Sequence, residues 1–228
     1  MRKAISTLIA VTIFSIAMGF MESAVVVYLR ELYYPEGFAF PIKIIEGVVA
    51  ISELLREAAT IIMLLCIGYI AGNTLSQRFA YFIFSFAIWD IFYYVFLKAL
   101  LGWPESLFTW DLLFLLPIVW VGPVLAPILC SLAMFWLALI IIFNDKKGIK
   151  IKFFRSDWVL LIIGSCVIIF SYTIDYLQFI TFSKFSIDTF ENISHYIPKS
   201  FNWTIFFIGY SLILFVIIRL MNKLKSLS

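Results

Sequence analysis

Eight side chains able to carry, donate or accept a charge or proton lie within or beside long apolar runs of this sequence: Glu22, Glu53, Arg56, Glu57, Asp90, Tyr94, Lys98 and Asp111. A charge at the centre of a membrane helix costs about 2.5–3.5 kcal/mol, so such groups face one another, a water-filled cavity or a ligand. Carboxylates in that setting load a proton, a cation or an amine, whereas a guanidinium or ammonium among them neutralises a carboxylate or holds an anionic group. Three sequence patterns group these residues. In ISELLREAATIIMLL, Glu53, Arg56, Glu57 and Thr60 recur at intervals of three and four, which puts them on one helical face. In WDIFYYVFLK, Asp90, Tyr93, Tyr94 and Lys98 form a rough polar stripe. Ser15 and Gly19 lead to Glu22 and Ser23 along a face of small residues that would admit a neighbouring helix at close range.

Adding Asp175 gives six membrane-level carboxylates against two cations, Arg56 and Lys98. The formal excess of four acids requires protonation, solvation or a bound cation. Arg56 is expected to neutralise its neighbours, and the set to line an outward-facing polar cavity between the first four spans. The competing reading is an ion-pair network that only ties helices together.

The elements that must position these groups follow from composition. Of 228 residues, 64% are hydrophobic and 14% charged, against roughly 45–50% apolar and about 25% charged in soluble domains. Apolar runs near the roughly 20 residues that cross a bilayer recur along the chain. The expected fold is an all-α polytopic membrane protein, a single transmembrane helical domain over residues 1–228. Its six expected spans are Ala4 to Leu29, Val48 to Ala71, Phe79 to Leu101, Asp111 to Phe143, Trp158 to Phe179 and Trp203 to Leu220. Arg2 and Lys3 before an apolar run resemble a signal peptide, but the run continues to Leu29, beyond the roughly 7–15 residues of such a segment.

Eleven of the 17 basic residues fall on one side of the alternating spans: Arg2, Lys3, Arg78, Lys146, Lys147, Lys150, Lys152, Arg155, Arg219, Lys223 and Lys225. The bias of Lys and Arg toward cytoplasmic loops predicts that both termini are cytoplasmic. The expected location is a bacterial or archaeal cytoplasmic membrane. The basic block NDKKGIKIKFFRSD reads as a topology determinant rather than a nucleic-acid or lipid-headgroup site.

The stretch from Trp110 to Phe143 would be about 51 Å long as one helix, too long for a simple crossing. Pro117, Pro123 and Pro127 interrupt it, so the fourth span is expected to be long and proline-broken, either with free carbonyls lining a site or as a relieved kink. Aromatics from Tyr33 to Phe40 and in GWPESLFTW mark interfacial loops. Asp188, Phe190, Glu191, Ile193 and Ile197 predict a short amphipathic outer-loop helix. His195 reads as an exposed loop histidine, and the Asn192–Ser194 acceptor pattern is too common to assign a function. Cys66, Cys130 and Cys166 stand alone in three spans and read as packing residues. No nucleotide-binding, zinc-protease or serine-hydrolase motif occurs, and no cofactor is implied.

The leading expectation is binding or transport of a small cation, a proton-coupled solute or an amine. The alternatives are a subunit or assembly factor of a larger membrane complex, and an outer-leaflet enzyme using carboxylate acid/base chemistry. Expected partners are the lipid bilayer, a small cation or polar solute and a membrane-protein partner, with no nucleic acid. Cysteines introduced at Gly37 and Gly148, after replacement of the native three, should be labelled by impermeant reagents from opposite faces of a sealed vesicle. Labelling from one face would contradict the six-span order.

Overall fold

The computed structural model describes residues 2–43, 47–115, 118–146, 153–183 and 194–225. Their elements run α1 (Arg2–Tyr33), α2 (Gly47–Ala71), α3 (Leu75–Leu101), β1 (Trp110–Phe114), β2 (Trp120–Pro123), α4 (Leu125–Lys146), α5 (Arg155–Ser183) and α6 (Trp203–Lys225). All six helices are long and apolar enough to cross a bilayer and fit an integral multi-pass membrane protein. Large apolar side chains such as Ile13, Leu55, Ile70, Ile162 and Phe215 are exposed, as lipid-facing residues of a membrane bundle would be.

Helix ends extend beyond several expected spans because polar caps lie outside the apolar runs. Thr74 caps α3 by accepting a hydrogen bond from the Gln77 amide at 3.2 Å, while the Gln77 side chain accepts one from the Asn73 amide at 2.8 Å. Asp157 likewise accepts from the Phe154 amide at 2.8 Å and fixes the start of α5 at Arg155.

The fourth span differs from expectation, and the fold is not wholly helical. Residues Trp110–Phe114 and Trp120–Pro123 form an antiparallel hairpin, pairing Trp110 with Pro123, Asp111 with Gly122 and Leu112 with Val121, with an irregularity before Phe114. Helix α4 therefore begins only at Leu125. Short apolar runs rich in Trp and Val satisfy strand and helix patterns alike. Pro123 closes β2, whereas Pro127 lies in the first turn of α4, where an amide donor has no helical acceptor. Pro117 and the expected amphipathic segment from Asp188 to Ile193 lie outside the described residues.

Helices α1, α2 and α4 pack on α3, and α5 packs on α6. The small face of α1 makes the close approach expected of it. Ser15 and Ser85 hydroxyls lie 2.7 Å apart, Ser23 donates to the Tyr93 carbonyl at 3.0 Å, and a Cβ on Gly19 would stand 3.0 Å from the Trp89 carbonyl oxygen. A second small-residue contact joins α5 to α6: a Cβ on Gly209 would come within 2.6 Å of the Gly164 carbonyl oxygen. Gly209→Ala should therefore force the two helices apart and destabilise the fold by about 1–3 kcal/mol, whereas exposed Ser211→Ala should change little. Thermal unfolding in one detergent compares them; equal midpoints would contradict close packing at Gly209.

Candidate ligand cavity

A cavity of about 670 Å³ opens within this bundle, and seven of the eight singled-out residues line it: Glu22, Glu53, Arg56, Glu57, Asp90, Tyr94 and Asp111. The helical repeat explains their convergence. Glu53, Arg56, Glu57 and Thr60 share the inner face of α2. Glu22, Val26 and Arg30, spaced by four, share the cavity face of α1. Helix α3 contributes Asp90, Tyr93 and Tyr94, and the hairpin contributes Asp111 and residues Leu112 to Leu115.

Arg56 connects two elements. Its Nη1 bonds to Glu22 of α1, and its Nη2 lies 2.8 Å from Glu53 of α2. Glu22 also accepts from the Thr60 hydroxyl at 3.2 Å. Glu57 accepts the Leu115 amide, with its two oxygens at 3.0 and 3.1 Å, and thereby holds the end of β1 against α2. Asp111 accepts from Tyr94 at 3.0 Å and faces Arg30 at 3.4 Å.

Arg30 is a cavity residue that the expected span boundary concealed. Helix α1 continues to Tyr33, so Arg30 falls two turns beyond Glu22 on the same face. Its guanidinium lies 3.8 Å from the Trp103 ring centroid and 4.5 Å from that of Phe38, using the loop aromatics as cation–π partners. Tyr34, beside this cluster, has its hydroxyl pKa raised by burial, although the Lys43 amide that donates to it acts in the opposite sense.

Asp90 lies deeper along α3, with 9% of its surface exposed. Ser131 of α4 donates to its Oδ2 at 2.7 Å; Oδ1 has no protein hydrogen bond among the described residues. Near this pair, Cys130 and the Tyr172 hydroxyl are 3.7 Å apart, and Trp120 stacks on Tyr172. Ser131, Trp120 and Tyr172 carry no charge in apolar segments, and their spacing offered no signal for the site.

Two expected members stand apart. Lys98 is exposed and donates to the carbonyls of Gly102 and Pro104, both at 2.8 Å, so it caps the end of α3 instead of joining the carboxylates. Asp175 accepts from Tyr196 at 2.7 Å and from the Lys199 amide at 3.2 Å. Burial, followed by the Asp175 carboxylate, raises the Tyr196 hydroxyl pKa. His195 is exposed. Five carboxylates thus line the cavity against two guanidiniums, Arg30 and Arg56. Among the described residues, no three His, Cys, Asp or Glu side chains converge as metal ligands.

No protein-family model, no curated protein and no solved structure matches this chain. The site therefore stands on its geometry. A double-mutant cycle with Glu22→Gln and Arg56→Gln should return a coupling of about 0.5–3 kcal/mol in chemical unfolding. Arg56→Gln alone should destabilise more than the double variant, because it leaves two carboxylates without their cation. Strict additivity would contradict the shared guanidinium.

Proposed function

We propose that this chain is a membrane transporter whose cavity binds an organic amine, with both termini cytoplasmic and the hairpin end facing outward. The observation that carries the reading is the charge imbalance in one cavity: Glu22, Glu53, Glu57, Asp90 and Asp111 against Arg30 and Arg56. Burying uncompensated carboxylates is unfavourable, and a positively charged guest relieves that penalty. Among the described residues these carboxylates do not meet as a metal-binding trio, which favours a cation with an organic body over a bare ion. Trp89, Tyr93, Trp120 and Tyr172 supply aromatic walls, and ring faces attract ammonium groups. Asp90 is the assigned anchor because its Oδ1 retains an open acceptor site.

The orientation rests on the distribution of basic residues. Arg78, Arg155, Arg219 and Lys223 lie at the end opposite the hairpin, and the excess of Lys and Arg in short loops points that end toward the cytoplasm. Alternating access would move the amine between the outer mouth and that end.

Purified protein in phosphatidylcholine nanodiscs should bind labelled butyltrimethylammonium saturably. Asp90→Asn should weaken binding at least about tenfold, a difference of about 1.4 kcal/mol, while Lys98→Ala should leave it unchanged. In sealed proteoliposomes the wild type should accumulate the same cation and Asp90→Asn should not. Absence of saturable binding would overturn the amine reading. Binding without uptake would remove the transport part alone.

A further inference from the structure

The cavity does not end at Asp90. Its lining continues between α3 and α4 on one side and α5 on the other, through Phe79, Ile83 and Leu137 to Trp158, Ile162 and Ser165. Phe79 lies one turn into α3 and Trp158 in the first turn of α5, and their rings meet edge-on with centroids 5.0 Å apart, so this limb descends toward the end of the bundle opposite the hairpin and is floored by that ring pair. From Asp90 to Phe79 the helical rise is about 16 Å, roughly half the ~30 Å hydrocarbon core of a bilayer. The limb exists because α5 packs on α6 and touches β2, without a comparable packing surface on α3 or α4.

Its two ends differ in chemistry. The upper chamber holds all the charged lining groups, including the open oxygen of a carboxylate nine-tenths buried. The lower limb is walled almost wholly by hydrocarbon and aromatic rings. Water there would lack the two to four polar partners that an ordered molecule requires. An apolar chain, in contrast, gains roughly 0.8 kcal/mol for each methylene removed from water.

Resting on the amine reading of the chamber, we infer that the ligand is a single-chain cationic amphiphile, whose ammonium head sits at Asp90 and whose alkyl tail fills the limb between α3, α4 and α5. Continuity assigns both parts to one molecule, because one cavity is lined by both the carboxylates and the apolar walls. The exposed faces of Ile162, Ser165 and Cys166 on α5 leave the limb open sideways, so a tail already dissolved in the bilayer has a lateral route to it.

The test compares butyltrimethylammonium with dodecyltrimethylammonium on the full chain in phosphatidylcholine nanodiscs, each corrected for uptake by empty discs. The dodecyl compound should bind at least about tenfold more tightly. Ser165→Phe, which places a ring into the limb from an exposed position, should erase that gain and leave butyl binding intact. Ile162→Trp serves the same purpose should Ser165→Phe fail to fold. Asp90→Asn should weaken both ligands. Equal affinities for the two chain lengths would overturn the amphiphile assignment while leaving the amine reading standing. Saturable dodecyl binding that survives Asp90→Asn would overturn the placement of the head, and no saturable binding of either compound would overturn both.

Discussion

The arrangement of the site depends on the Arg56 guanidinium, shared between carboxylates of two helices. Helices α1 and α2 each pack extensively on α3 and scarcely on one another. Across the space between them, Arg56 joins Glu22 to Glu53, and Thr60 adds a hydrogen bond to Glu22. Apolar packing would have closed this space; charged side chains keep it open because they demand partners and resist burial against hydrocarbon. The same pairing that ties α1 to α2 therefore creates the upper chamber. Its remaining acids leave that chamber with an excess of formal negative charge.

The hairpin completes the enclosure. A non-helical segment packed into a membrane bundle must satisfy its own backbone, and β1 and β2 do so mainly by pairing with each other. Where the pairing becomes irregular near Phe114, the Leu115 amide finds the Glu57 carboxylate. Asp111, from the same strand, meets Tyr94 and Arg30. One short element thus takes up a carboxylate of α2 and donates a carboxylate toward α1 and α3. Trp103 and Phe38 flank Arg30, and Phe38 contributes to the cavity wall at this end of the chamber.

Much of this organisation was legible because hydrophobicity and helical spacing report it directly. Six long apolar runs led to six helices, and the three-and-four spacing of Glu53, Arg56 and Glu57 placed them on one face that reaches a common cavity. The small face ending in Ser23 was equally visible, since close backbone approach selects small side chains. The hairpin was hidden because a brief apolar run carries no period that separates strand from helix. Arg30 was hidden by a boundary drawn at Leu29, although its four-residue spacing from Val26 and Glu22 held the signal. Lys98 showed the converse error: a cation in line with a polar stripe found backbone carbonyls at its own helix end. Uncharged Ser131 and Tyr172 carried no distinguishing sequence signal at all.

One cavity joins an anionic chamber beneath the hairpin to an apolar limb beside α5, and the proposed ligand is a single amphiphile that occupies both. A density map of the protein in nanodiscs with dodecyltrimethylammonium would decide whether one molecule spans chamber and limb. Continuous non-protein density is expected, with its head within contact distance of Asp90 and its tail between Ile83 and Ile162. Density confined to the outer lipid annulus, with the Asp90–Ser131 pair sealed by side chains, would contradict it.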